Sequence, residues 1–342
     1  MDISRLVRKN IAALQPYSCA RNEFEGEASV YLDANESPYN APYNRYPDPM
    51  QLAVKQKIAT LKGLSEDRIF LGNGSDESID LAFRIFCEPG LDNVVAIAPT
   101  YGMYKVCADI NAVEYREHQL DAAFSFKAAE LLQRCDNHTK LVFLCSPNNP
   151  TGNSLPGEEI TALLEACPAI VVLDEAYIDF SSQPSWLSQL ERYPNLLVFQ
   201  TFSKAWASAG LRLGMAFASP EIIALYNKVK YPYNVNVQTQ TLMLEQLQKP
   251  QQTAAWVKET LAQREVMRRG LQALLMVRHI YPSDANFLLV KVDDADAMYR
   301  YLVSRGIIVR NRNRVQLCQG CLRITVGTPD ENAQLIQAMK NY

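Results

Sequence analysis

Residues 197–217, LVFQTFSKAWASAGLRLGMAF, carry the pattern that decides the fold. Two mainly apolar runs, 197–200 and 213–217, flank a more polar stretch that contains Lys204. Short apolar runs without regular polar alternation are typical of strands that are buried on both faces. The segment therefore predicts two buried strands, with a potentially reactive lysine just beyond the end of the first.

Similar apolar runs precede this segment along the chain, and helical patterns separate several of them. The runs lie at 69–71, 94–98, 141–145 and 170–173, and the helical patterns at 51–62, 75–87, 103–110, 127–134 and 157–166. Buried strands alternating with helices are typical of a mostly parallel sheet covered on both faces. The sequence thus predicts an α/β fold whose large domain has a mostly parallel central sheet flanked by helices.

The end of the chain has a different pattern. A helix-like region at about 236–276 leads to apolar runs at 287–292, 307–309 and 322–326, with a helix at 294–305. A last helix begins at Thr328, where Pro329 and Glu331 match the first-turn and capping-box positions. This part predicts a smaller α+β domain.

The start of the chain belongs to neither pattern. Residues 1–14 have the apolar spacing of an amphipathic helix, and residues 15–50 are rich in Pro, Tyr and Asn, which favours an irregular arm. The predicted organisation is an N-terminal helix and arm at 1–39, contacting the small domain or a dimer partner. A large domain at 40–235 and a small domain at 236–342 follow it.

Composition excludes several classes of protein. The chain has 342 residues with Lys+Arg 34 and Asp+Glu 37, so its net charge of −3 offers no electrostatic reason to bind nucleic acid. No apolar run reaches the roughly 18 residues of a membrane span, and no signal peptide is recognisable, so a cytoplasmic protein is expected. The eight cysteines are expected to be reduced, and the spacing of Cys318 and Cys321 lacks the further ligands of a metal site.

Polar residues follow four of the predicted strands. The segments are GNGSDE at 72–77, SPNNPTG at 146–152, DEAY at 174–177 and TFSK at 201–204. Because functional groups collect at the carboxyl ends of strands in α/β sheets, we expect these side chains to share one rim.

The residue types at this rim fit one cofactor. Lys204 follows a buried strand, where desolvation favours a neutral amine that can form a Schiff base. Asp174 ends an apolar strand and needs a cationic partner, such as a protonated pyridine nitrogen. Gly74, Ser75 and Asp76 open a helix whose free N–H groups suit a phosphate, and Arg212 adds a bidentate phosphate contact. An aldehyde, a pyridine nitrogen and a phosphate together describe pyridoxal 5′-phosphate (PLP).

The lysine segment, with SPNNPTG and VVLDEAYIDF, resembles the class II aminotransferases of PLP fold type I. More narrowly, the chain resembles the histidinol-phosphate aminotransferase family. The matching segments are LDANESPYN (32–40), RYPD (45–48), GNGSDE (72–77), FCEPG (86–90) and APTYGMY (98–104). The resemblance covers nearly the whole chain.

The resemblance implies a role for each matching residue. Lys204 would hold the internal aldimine and move the proton, Asp174 would pair with the pyridine nitrogen, and Tyr177 would hydrogen-bond the 3′-oxygen. Further cofactor contacts are implied for Gly74, Ser75, Asp76, Tyr101, Asn149, Thr201, Ser203, Arg212 and, from the neighbouring subunit of a homodimer, Tyr46. Arg323, Arg310, Tyr17 and Asn35 match substrate-binding positions. Asn35 is also compatible with a simple turn before Pro38, and Arg310 with a solvated charge run.

The implied reaction is amino transfer between L-histidinol phosphate and 2-oxoglutarate, giving imidazole acetol phosphate and L-glutamate, a step of histidine biosynthesis. Two alternatives of the same fold remain open from sequence. One is an aromatic amino acid aminotransferase, because phenyl and imidazole groups are similar in size, and the other is a threonine-phosphate decarboxylase. A PLP-binding regulator without turnover is disfavoured, since no DNA-binding helix is visible.

Overall fold

The computed structural model describes residues 2–17 and 28–342, and its central feature is a seven-stranded sheet. The strands are β1 (Ile69–Asn73), β2 (Asn93–Ala98), β3 (Glu114–Gln119), β4 (Thr139–Cys145), β5 (Ile170–Asp174), β6 (Leu196–Thr201) and β7 (Leu213–Phe217). Their order is β1-β7-β6-β5-β4-β2-β3; β7 runs antiparallel to both β1 and β6, and the other neighbouring pairs are parallel. The predicted mostly parallel sheet is confirmed.

Helices surround this sheet and continue beyond it. They are α1 (Lys9–Ala13), α2 (Leu52–Lys62), α3 (Gly74–Phe86), α4 (Met103–Ile110), α5 (Ala128–Leu132), α6 (Gly157–Ala166), α7 (Pro220–Val229), α8 (Val237–Leu247), α9 (Pro250–Gln272), α10 (Ala295–Ser304) and α11 (Pro329–Lys340). None of the helices in the described ranges is long and apolar enough to cross a membrane.

Alternation along the central strands divides the core into two apolar layers. In β5, Val171 and Leu173 pack in one layer with α2, α5 and α6, whereas Ile170 and Val172 pack in the other with α3, α4 and α7. Because side chains of a strand point alternately to the two faces, an uninterrupted apolar strand requires helices on both sides. The strand ends are thereby left as the place where polar side chains can collect.

A second, antiparallel sheet has four strands. They are β8 (Val277–Ile280), β9 (Phe287–Val292), β10 (Arg310–Asn311) and β11 (Cys321–Thr325), in the order β10-β11-β9-β8. Leu288 and Val290 of β9 face a separate core shared with α9, α10 and α11, whereas Phe287 and Leu289 join the α2 side of the large core. The second sheet is therefore held against the first by one face of β9.

The N-terminal segment does not form the single predicted helix. A 3₁₀ turn at Ile3–Arg5 and α1 are separated because Arg8 is extended and donates its backbone N–H to the carbonyl oxygen of Ile85, at 3.0 Å. Ile3 and Ile11 are buried in the α3 side of the large core, so the apolar spacing reflects packing on this chain's own large sheet.

At the end of the chain, the predicted helix-like region is confirmed as helical, whereas one predicted strand is wrong. The region 236–276 is two helices, because Pro250 cannot continue a helix and occupies the first turn of α9 instead. Its last residues, 273–276, form the turn that precedes β8. Residues 307–309 are not a strand, because pairing with β11 begins only where Arg310 lies opposite Arg323. The helix α8 packs on α2 and contributes Met243 to the large core.

Candidate active site

A cavity of about 730 Å³ lies where the carboxyl ends of β4, β5 and β6 face β10 and β11. Most of the predicted site residues line it. They are Ser75, Asp76, Tyr101, Asn149, Asp174, Tyr177, Thr201, Ser203, Lys204, Arg212, Arg310 and Arg323. The shared rim that the sequence predicts is therefore present, and both sheets contribute to it.

Asp174 is the buried acid of the cavity, with only 2% of its surface exposed. Its Oδ2 accepts a hydrogen bond from the Tyr104 hydroxyl at 2.6 Å, and its Oδ1 accepts one from the backbone N–H of Ala176 at 3.0 Å. Burial raises the pKa of Asp174, and these two donors oppose the rise. The carboxylate is thus held in a fixed orientation with little water to solvate its charge, so it suits a cationic partner.

Tyr104 is a part of the site that the sequence reasoning missed. Its ring is fully buried, stacks on Phe143 at 4.7 Å and meets Tyr101 edge-on at 5.6 Å. The available signal was its position, three residues after Tyr101 and in the first turn of the helix that follows it.

Lys204 lies in the loop between β6 and β7. Its Nζ is 5.7 Å from the centre of the Tyr177 ring, and the side chain is open to the cavity. Partial desolvation lowers the pKa of Lys204, and the positive charge of Arg323 lowers it further. Both effects favour the neutral amine, which is the nucleophilic form.

The start of α3 forms a cradle beside this loop. Gly74 has φ +72°, and its N–H donates to the carbonyl oxygen of Arg212 at 2.7 Å. A Cβ on Gly214 would lie 2.2 Å from the backbone nitrogen of Ser75, so only glycine allows β7 and α3 to approach this closely. The helix N-terminus, whose free N–H groups favour an anion, is thereby placed against the loop that carries Lys204.

Hydrogen bonds already order the side chains around the cradle. Asp76 accepts from the Tyr101 hydroxyl at 3.0 Å and forms an ion pair with Arg212 at 3.5 Å. The Thr201 hydroxyl donates to Ser203 Oγ at 3.0 Å and accepts from the Ser203 backbone N–H. An oxyanion placed here would meet hydroxyls, helix N–H groups and a guanidinium together.

Asn149 and Tyr177 line the cavity where it meets the second sheet. Asn149 is nearly buried, and its Oδ1 accepts a hydrogen bond from Arg323 Nη1. Tyr177 packs edge-on against Phe287 of β9 at 5.2 Å, and burial raises the pKa of its hydroxyl. The two sheets therefore contact each other directly at residues that line the site.

Three arginines complete the cavity wall, two of them in the second sheet and one directly after β10. Arg310 and Arg323 were predicted, whereas Arg312 was not, although it lines the same cavity. Burial lowers the pKa of Arg312 to about 10, with further lowering by the charges of Arg323 and Arg310. The missed signal was the two-residue spacing from Arg310, which places both side chains on one face of an extended segment.

Four predicted residues lie outside the cavity lining. Tyr46 is half exposed and stacks on the ring of Tyr233 at 4.3 Å. Tyr17 is 73% exposed, and Asn35 is exposed with a left-handed φ of 54°. Gly74 does not line the cavity with its own atoms but directly precedes Ser75, which does.

The donor set fits PLP. A buried, hydrogen-bonded carboxylate suits the pyridinium nitrogen, a lysine with lowered pKa suits the aldehyde, and the cradle that a Cβ on Gly214 would fill suits the phosphate. Bound there, PLP would supply an electron sink for carbanion chemistry. The residues in place to hold it are Asp174, Asn149, Tyr177, Ser75, Asp76, Thr201, Ser203, Lys204 and Arg212.

Comparisons with known proteins show the family to which the chain belongs. A model of the family described as aminotransferase class I and II matches residues 22–339. The histidinol-phosphate aminotransferase of Parabacteroides distasonis is 57% identical over 340 residues, covering 99% of either chain.

Solved structures show the same fold. The histidinol-phosphate aminotransferase of Clostridium acetobutylicum superposes with a TM-score of 0.80 at 22% identity, covering 87% of this chain and 90% of that one. The Sinorhizobium meliloti histidinol-phosphate aminotransferase, solved in complex with pyridoxal-5′-phosphate, gives 0.79 at 24% identity over 90% and 89%.

Proposed function

Because the chain belongs to the histidinol-phosphate aminotransferases, within the class I and II aminotransferase family, we propose that it transfers an amino group between L-histidinol phosphate and 2-oxoglutarate. The products are imidazole acetol phosphate and L-glutamate, and the cofactor is PLP. The observation that carries the proposal is the 57% identity over 99% of both chains with a relative of that name. The convergence of Lys204, Asp174 and the arginines in one cavity supports it.

The chain's own residues divide the work of the reaction. Lys204 is placed to bind the cofactor and to carry a proton, because desolvation and the charge of Arg323 lower its pKa and so favour the neutral amine. Asp174, held by Tyr104, is placed to keep the cofactor's ring nitrogen protonated. Arg310 of β10 and Arg323 of β11 are placed to orient anionic substrates near Lys204.

Recognition of two different substrates is compatible with shared arginines. A phosphate ester and a carboxylate are both anions that guanidinium groups bind by paired hydrogen bonds. Arg323 is the best-anchored of these groups, because Asn149 fixes one of its nitrogens and the Phe287 ring lies 5.3 Å from its Cζ. We assign Arg323 and Arg310 to substrate binding.

A homodimer with shared sites is part of the proposal. Tyr46 lies outside the cavity of its own chain, and several other large side chains of the arm are exposed, including Leu32, Tyr39 and Tyr43. An exposed apolar surface of this kind is typical of an interface. The assignments of Tyr46, Tyr17 and Asn35, the domain limits 1–39, 40–235 and 236–342, and a cytoplasmic location stay predictions.

The test is to follow the visible absorption of the PLP-loaded enzyme while adding candidate substrates one at a time. Histidinol phosphate is expected to convert the cofactor to its amine form, and 2-oxoglutarate to reverse the change. Faster conversion by phenylalanine would favour an aromatic aminotransferase. Carbon dioxide release from threonine phosphate, with the aldehyde form regained, would favour a decarboxylase. Sedimentation of the same sample measures the oligomeric state.

A further inference from the structure

In the segment that runs from β10 into the following turn, the asparagine side chains lie on one side and the arginine side chains on the other. Asn311 and Asn313 donate to the two carboxylate oxygens of Asp296, at 2.6 and 2.9 Å. Arg310 and Arg312 line the active-site cavity instead. The two asparagines thus anchor one side of the segment to α10, and the alternation of an extended chain directs both arginines to the other side.

Arg312 is half-buried and has no polar partner for its head group. Its Nε is shielded from solvent without a hydrogen-bond partner, and no side-chain hydrogen bond from its guanidinium to the described chain is present. Its backbone, in contrast, is fixed, because its N–H donates to the carbonyl oxygen of Cys321 at 2.9 Å. A buried donor without an acceptor is costly, so the position favours binding of an acceptor from outside the chain.

Positive charge accumulates around Arg312 without a carboxylate to balance it. Burial lowers the pKa of both Arg312 and Arg323; the charges of Arg323 and Arg310 lower that of Arg312 further, and the charge of Arg310 lowers that of Arg323 further. Within residues 2–17 and 28–342, none of the three forms an ion pair with Asp or Glu. One carboxylate has a single negative charge, whereas a phosphate monoester has about −1.5 to −2 at pH 7 and three acceptor oxygens.

We propose that Arg312 is a specificity-determining residue that, with Arg310 and Arg323, binds the phosphate group of the amino donor and favours it over a carboxylate donor. This inference rests on the proposed function. Arg323 alone can form the paired hydrogen bonds that a carboxylate needs. A dianionic phosphate uses the additional charge and donors of Arg312.

The test compares two amino donors in the PLP-loaded Arg312→Gln variant. The KM for histidinol phosphate is expected to rise about 10- to 100-fold, the effect of losing a hydrogen bond to a charged group. The rise is expected to be at least about tenfold larger than the rise in KM for glutamate. Arg312→Lys, which keeps the charge but loses the planar fork, is expected to lie between wild type and Arg312→Gln.

Arg314→Gln is the matched control, since Arg314 is exposed, lies two residues further along and does not line the cavity. It is expected to leave the ratio of the two KM values as in wild type. Equal rises for both donors in Arg312→Gln, or no rise, would overturn the inference. If Arg312→Gln does not fold, the ratio in Arg312→Lys decides.

A binding measurement separates this inference from the proposed function. Calorimetric titration of the PLP-loaded protein with inorganic phosphate and, separately, with acetate needs no turnover. Arg312→Gln is expected to weaken phosphate binding about tenfold or more, and to weaken acetate binding less. If wild type does not use histidinol phosphate, the proposed function fails, while this titration still supports or refutes the role of Arg312 in binding phosphate.

Discussion

The two walls of the active-site cavity differ in how far their polar groups are already paired. On the seven-stranded sheet, Asp174 is held by Tyr104, and Asp76 links Tyr101 to Arg212. On the side of the four-stranded sheet, Arg312, directly after β10, has no partner for its head group, and Arg323 has one bonded nitrogen and a shielded Nε without a partner.

This difference in hydrogen-bond pairing indicates which kind of ligand each wall suits. A wall of fixed hydrogen bonds holds a resident group in one orientation, because little side-chain entropy remains to be lost when it binds. Unpaired, partly desolvated cations raise the free energy of the empty site. Each anion that binds there lowers this free energy by pairing with them. The first wall therefore suits a cofactor that stays, and the second suits substrates that alternate.

The largest expected effect on activity is at Lys204, where the cofactor held by the first wall and the substrates bound by the second wall would meet. Lys204→Ala is expected to reduce kcat/KM by at least about 10⁴-fold, because both the covalent attachment and the proton carrier are lost. Borohydride reduction followed by peptide mapping is expected to find PLP on Lys204 in wild type and on no residue in the variant. Lys105→Ala, at an exposed lysine paired with Asp109, is the control. Cofactor attached to another lysine would contradict the assignment.

An effect of intermediate size is expected at Gly214, where the backbone of β7 contacts the start of α3 in the first wall. Gly214→Ala places a Cβ 2.2 Å from the nitrogen of Ser75, a clash with backbone that no rotamer relieves. We expect a loss of about 1–3 kcal/mol in the free energy of unfolding and weaker binding of PLP. Thermal unfolding and PLP titration measure the two effects. Gly210→Ala, in the same loop with no atom within 4 Å of the new Cβ, is expected to change neither. Wild-type PLP affinity in Gly214→Ala would argue against the cradle.

The smallest effect is expected at the hydroxyl that holds Asp174. Burial raises the pKa of this carboxyl and the Tyr104 hydroxyl lowers it, so Tyr104→Phe raises it further. The ionised form is then reached only at higher pH, and the acid limb of the kcat/KM profile is expected to move to higher pH.

Tyr226→Phe is the matched control for this change. Tyr226 is also fully buried, and its hydroxyl donates to the carbonyl oxygen of Ser78 at 3.0 Å, outside the cavity lining. It is expected to affect stability without moving the profile. An unmoved acid limb in Tyr104→Phe would show that the hydroxyl does not tune Asp174.

Much of the large sheet could be predicted because its strands are apolar along their whole length. A run such as 170–173 needs no context to be recognised as buried on both faces. The strand β3, EYREHQ, was missed because it is a polar edge strand paired only with β2, so its composition resembles that of a loop. The same limit applies to β8, which has no fully buried residue.

The amino-acid sequence by itself determined the strand ends and the chemistry placed after them, because both depend on local patterns of apolar and polar residues. Lys204, Asp174 and the glycine-bearing start of α3 were recognisable for this reason. Only the tertiary structure decided which arginine of the segment 310–314 is buried and that Tyr104 holds Asp174. Burial and partnership depend on residues far apart in the chain, and the cavity exists only where the two sheets meet.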